Sequence, residues 1–149
     1  MKTIKRMYKH LNWANKRILE TLQNLEFDNH QARRLFSHIL FAEQVWLARL
    51  QGKDSSRLPI WGEVEIEVCE EMVQKNEENF ALFFADLDDT DLDQFITYSN
   101  SKGVVFKTSI RDILTHVALH GQHHRGQINA HLRANHVEPV NTDFITFVR

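Results

Sequence analysis

The chain has 149 residues, close to the usual size of one domain, with 42% hydrophobic and 26% charged residues. That balance supplies a core without covalent staples and excludes an intrinsically disordered chain. Eighteen Lys and Arg against 20 Asp and Glu leave a formal charge of −2, which argues against a protein that coats nucleic acid.

The N-terminal stretch MKTIKRMYKHLNWANKRIL is basic but has no continuous apolar segment behind it, so it does not read as a signal peptide. Ile4, Met7 or Tyr8, Leu11, Ala14, Ile18, Leu22 and Leu25 recur at three- and four-residue steps and predict a first helix over about 4–25. Its other face carries Lys2, Lys5, Arg6, Lys9, Lys16 and Arg17, read as a solvated bundle face rather than a membrane contact. Asp28 or Asn29 can cap a second helix over 30–50, where Leu35, His38, Ala42, Val45 and Arg49 form one stripe and Gly52 marks the end. Residues 52–62, GKDSSRLPIWG, read as a loop whose Trp61 packs over a core end or walls a pocket.

A third helix is expected from about 63 to 87, with Cys69 on its core stripe and seven glutamates between Glu63 and Glu78. The opposite charges of helices one and three would favour their pairing as a matter of specificity. Cys69 has no second cysteine and reads as a buried, inert thiol. The run DLDDTDLD imitates a calcium loop but lacks its sixth-position glycine and twelfth-position glutamate, so it reads as a solvated acidic turn. Residues 95–98 and 104–107 around Asn100–Gly103 predict a small β-hairpin. Ser109 and Asp112 resemble a capping box at the start of a last long helix that fades near 135 or 136. The tail PVNTDFITFVR should pack back through Phe144, Ile145 and Phe147. The expected fold is all-α: a four-helix bundle with a hairpin between helices three and four, in a single domain 1–149. No run approaches the 18 apolar residues of a membrane span, and the expected location is the cytoplasm.

Six of nine histidines fall between His116 and His136. In HVALHGQHHRGQI, His116, His120 and His124 stand at i, i+4 and i+8 on one helical face. Eight residues rise about 12 Å, so all three cannot meet one zinc ion with bonds of about 2.0–2.1 Å, whereas an adjacent pair can. A third ligand must then come from elsewhere, and His38 is the histidine on an inward stripe. A buried histidine there needs either hydrogen-bond partners or a metal, and the pattern leaves both readings open. Placed around one ion, His38, His120 and His124 would make a three-imidazole site with room for water, which favours zinc, although nickel, iron or cobalt would also accept imidazole. Gly121 and Gly126, each costing a helix about 1 kcal/mol relative to alanine, suggest close backbone approach or a tight pocket. His123 reads as supporting or solvated, and His131 and His136 as ordinary surface or core residues.

The segments YKHLNWANKRILETLQNL, LFSHILFAEQVWLARL, HVALHGQHHRGQI and PVNTDFITFVR together resemble the DinB-like metalloproteins, a four-helix-bundle family that includes thiol-dependent transferases. The resemblance implies that His38, His120 and His124 bind a divalent metal, with His116 a neighbour on the same face and not a ligand. It also implies relatives such as bacillithiol or mycothiol transferases and a thiol-dependent isomerase, and a homodimer built through helices. The leading expectation is a metal-dependent transferase in which a low-molecular-weight thiol attacks an electrophile such as an epoxide or activated halide. Trp61, and less so Trp46, would wall the pocket. The alternatives are a hydrolase using metal-bound hydroxide and a non-enzymatic, metal-stabilised scaffold. Against the hydrolase, Glu43 points roughly 140° away from His38 around its helix and is a poor general base.

Overall fold

A computed structural model describes residues 1–149 as α1 (Lys2–Gln23), α2 (His30–Leu50), α3 (Ile66–Ala85), β1 (Phe95–Ser99), β2 (Val105–Ser109), α4 (Ile110–Ala134) and α5 (Phe144–Val148). The chain is therefore mostly helical, with one two-stranded antiparallel sheet. Helix ends follow local chemistry. The Asn29 side chain accepts from the Ala32 amide at 3.1 Å, while Asp28 is drawn instead to Arg33 at 3.0 Å. At the other end of α2, Gly52 takes φ +70°, its amide reaches the Arg49 carbonyl, and the Lys53 amide reaches that of Ala48. This is a Schellman ending, and it needs the left-handed residue that glycine supplies. Ser109 caps α4 by accepting from the Asp112 amide at 3.1 Å, and its hydroxyl donates to the Asp112 carboxylate at 2.8 Å.

Several boundaries move from their sequence-based positions. Helix α3 starts at Ile66 because residues 63–65 remain extended in the loop, and the strands run to Ser99 and from Val105, with Phe95 opposite Ser109. The acidic run becomes a 3₁₀ turn at Asp91–Asp93 that buries Leu92. Phe144 and Phe147 of α5 lie against α1, their rings 5.3 Å from His10 and 5.6 Å from Trp13. Ile145 does not pack back: it is 53% exposed, on the outer side of a five-residue helix that has only one face to bury.

Helices α1 and α2 each pack on both α3 and α4, and the α2–α4 pair is the most extensive. The α1–α3 charge contrast yields one ion pair, Lys16 to Glu77 at 2.6 Å, between partly exposed side chains. The interior is split into two apolar clusters. One centres on Tyr8, Leu11, Leu47, Phe80 and Leu114; the other centres on Ile18, Phe36, Leu40, Val73 and Ile128. Between them lies a buried polar layer to which each long helix gives one residue: Asn15, Glu43, Asn76 and Arg125. Asn15 and Asn76 donate to the two Glu43 oxygens at 2.9 and 3.1 Å, and Arg125 donates to Asn15 at 2.7 Å. A buried charge must be paired or hydrogen-bonded, and this layer satisfies nearly every polar atom; Arg125 Nη2 is left without a partner.

Candidate metal centre

The antiparallel packing of α2 on α4 sets His38 beside His120 and His124. His38 sits on the α2 stripe that faces α4, and one helical turn separates the two α4 histidines. His120 Nε2 lies 3.1 Å from His38 Nε2 and 3.1 Å from His124 Nε2, and all three atoms lie within 4.8 Å of one another. Tetrahedral coordination at about 2.0–2.1 Å separates neighbouring donor atoms by about 3.3–3.4 Å. The trio is therefore already near the spacing a metal ion requires.

The tautomers sharpen this reading. His38 Nδ1 is 2.6 Å from the Ile60 carbonyl oxygen, which can only accept, so the ring proton sits on Nδ1 and Nε2 offers a lone pair. His124 Nδ1 donates in the same way to Gln127 Oε1 at 2.6 Å. Two lone pairs thus converge beside His120 Nε2. A proton there could serve one neighbour only, whereas a divalent cation would answer all three. Carbonyl and amide oxygens that fix the far nitrogen are the usual outer support of imidazole ligands.

Electrostatics keep the trio neutral. Burial lowers the pKa of His38 and of His124, and burial followed by the neighbouring histidines brings His120 down to about 3. Neutral imidazole is the form that binds a metal.

The 52–62 loop supplies two parts of the centre. Besides the Ile60 carbonyl, it stacks Trp61 flat on His38, with centroids 3.5 Å apart and planes 1° apart. Gly62 closes the preceding turn by donating its amide to the Pro59 carbonyl at 2.7 Å, and a Cβ there would come within 3.0 Å of that oxygen and 3.1 Å of the Phe41 ring. Trp61 stands half exposed as a wall of the site.

The other sequence candidates separate cleanly. His116 is exposed, its ring 5.4 Å from His120 and 5.2 Å from Trp46. His123 is exposed beside His124, and His136 lies at the rim of a distant cavity. That cavity, about 720 Å³ between residues 24–31 and 135–137, contains none of the trio. His30 pairs with Glu63 at 2.6 Å, and His10 holds the Thr142 carbonyl at 2.7 Å. Only one of the two glycines marks a close approach: a Cβ at Gly121 would sit 3.0 Å from Arg125 Nη1, whereas Gly126 faces open space. Cys69 is fully buried, and burial pushes its thiol pKa up. Glu43 is fully committed to the polar layer. Sequence reasoning missed Gln127 and Ile60; a glutamine three residues after His124 was the one signal for the former, and a backbone carbonyl leaves none.

Comparisons with known proteins agree with this architecture. Protein DinB of Bacillus subtilis (strain 168) is 26% identical over an alignment of 156 positions, covering 93% of this chain and 90% of that protein. The crystal structure of a DinB-like protein from Bacillus cereus superposes with a TM-score of 0.66 at 16% identity, covering 95% of this chain and 96% of that one. The profile of the DinB family matches residues 1–149, and the chain belongs to the DinB family.

Proposed function

We propose that this protein binds one divalent metal ion through His38, His120 and His124 and transfers a low-molecular-weight thiol to an electrophilic small molecule. The observation that carries the reading is the convergence of Nε2 lone pairs fixed by the Ile60 carbonyl and the Gln127 amide oxygen. An all-imidazole set suits zinc first, and nickel also. When bound, such an ion supplies the positive charge that favours the thiolate form of an incoming thiol.

The residues present divide the remaining work. His38, His120 and His124 contribute three neutral donors, fewer than a closed four-ligand structural site takes, and this supports a reactive site over a purely structural one. Trp61 covers one side of His38, and His116 with Trp46 continues the wall along α2 and α4. In the reaction a carbon–sulfur bond forms as the sulfur attacks the electrophilic carbon. The thiol proton passes to solvent when a halide departs with its electron pair, or to the opened alkoxide when the electrophile is an epoxide. A hydrolase would want a protein base, and the nearest α2 carboxylate, Glu43, has both oxygens bound by asparagines inside the core. That favours a substrate bringing its own nucleophile.

The test is the visible spectrum of cobalt-loaded protein titrated with bacillithiol, mycothiol and glutathione. At least one should change the spectrum, and an epoxide or activated halide should then be consumed with thioether formation. An unchanged spectrum with all three overturns the thiol reading.

A further inference from the structure

The α2 stripe that carries His38 continues through Ala42 and Val45 to Arg49, three turns on and about 16 Å along the axis. Arg49 is unlike the exposed Arg34 of α2 and Arg111 of α4, each of which is paired with a carboxylate. It has no carboxylate within ion-pair distance, and its Nε is buried without a hydrogen-bond partner. By contrast, Arg34, beside Trp61, is paired with Glu63. The Arg49 guanidinium is clamped between two aromatic faces, 4.5 Å from the Trp46 centroid and 5.1 Å from that of Tyr98 in β1. Stacking of this kind fixes the plane of the fork, and no protein group is hydrogen-bonded to its Nε.

That fork is joined to the histidines by an unbroken strip of side chains. Trp46, under Arg49, lies 5.2 Å from His116, and His116 lies 5.4 Å from His120. Because α2 and α4 run antiparallel, the strip leads from the three Nε2 atoms toward the C-terminal end of α2. The side chain of Arg49 leans back over Trp46, toward His38, so the separation is shorter than the axial distance.

We infer that Arg49 is an anion-recognition residue of the same site, taking the carboxylate at the far end of an extended ligand whose reacting end lies at His38, His120 and His124. Resting on the function proposed above, that ligand is a thiol with a carboxylate roughly 10–15 Å from its sulfur, the span set by one α4 turn beyond His120 plus the reach of an arginine. Burial already lowers the Arg49 pKa, as it does for any cation held from water without a counter-charge, and a carboxylate would restore the balance. A bidentate guanidinium–carboxylate contact would also fix the ligand's direction along that strip of side chains.

The experiment uses glutathione, S-methylglutathione and 2-mercaptoethanol as probes. In metal-free protein, the Arg49 Nε–H resonance should shift with the first two and stay still with the neutral thiol. In cobalt-loaded protein, Arg49→Met, which keeps the hydrophobic cover of Trp46, should weaken glutathione at least tenfold and leave 2-mercaptoethanol unchanged, with Arg49→Lys intermediate. A stationary Nε–H resonance, or equal losses for both thiols in Arg49→Met, overturns the inference and identifies Arg49 as packing alone. An Nε–H shift with S-methylglutathione while no thiol alters the cobalt spectrum would keep the anion subsite and discard the thiol reading.

Discussion

Trp61 and His38 lie face to face, 3.5 Å between centroids, so the loop that walls the site also restrains one of its three imidazoles. Aromatic contacts of this kind contribute about 0.5–1.5 kcal/mol beyond buried area. Trp61→Leu should therefore weaken metal affinity by about 2- to 10-fold without unfolding the bundle. Cobalt should also quench tryptophan fluorescence in the native protein and in Trp13→Leu, and much less in Trp61→Leu. Equal quenching in all three would mean that Trp61 does not touch a metal ligand.

Gln127 acts on His124 from the opposite side of the ring, accepting its Nδ1 proton at 2.6 Å. Removing such a partner typically costs about 10- to 100-fold in metal affinity. Gln127→Leu should lower zinc affinity by about that factor while the far-ultraviolet dichroism remains native. An unaltered affinity would show that the tautomer of His124 is set by something else.

The two α4 glycines should respond oppositely to alanine. At Gly121 the new methyl would meet Arg125 Nη1 at 3.0 Å and push the guanidinium off Asn15, a loss of about 1–3 kcal/mol. At Gly126 it meets nothing, and replacing a helical glycine gains up to about 1 kcal/mol. Chemical denaturation of the two variants checks the sign of each.

The polar layer predicts a specific pH dependence. Burial raises the Glu43 pKa from 4.5 to about 7, against the opposing pull of Asn15, Asn76 and Arg125. The folded protein then holds a proton that the unfolded chain has released, so this contribution is fully present below pH 4.5 and fades as pH rises to about 7. The depressed histidines act in the opposite sense: their contribution is present above about 6.5 and lost as pH falls through their folded values. Subtracting Glu43→Gln from the native protein isolates the carboxyl. The difference in unfolding free energy should fall from pH 4.5 to 7 by a few kcal/mol at most and then level; a flat difference contradicts the assignment.

How much of this was legible in the sequence follows from the range of the interactions. Periodicity located the four long helices because each must bury one stripe, and it placed His38 on that stripe and His120 with His124 one turn apart. The same logic could not see that Asn15, Asn76 and Arg125 point inward: a polar residue at a core position is an exception to the hydrophobic pattern, and each is tolerated only because the other helices bring partners. Glu43 illustrates the point. Its angle from His38 excluded it as a nearby base, yet its destination between Asn15 and Asn76 depended on helices α1 and α3. Trp61 was readable as a wall, but its parallel stack on His38 depends on a loop path that passes close to Pro59 and Phe41 at Gly62.

The central claim is that one divalent ion is held by imidazoles from two helices. X-ray absorption of the zinc-loaded protein, read together with zinc titrations of His38→Ala, His120→Ala, His124→Ala and His136→Ala, tests it most directly. The account predicts one ion per chain with three imidazole ligands, loss of tight binding in the first three variants, and native binding in the fourth. Retention of tight zinc binding after His38→Ala, or a first shell lacking three imidazoles, would contradict it.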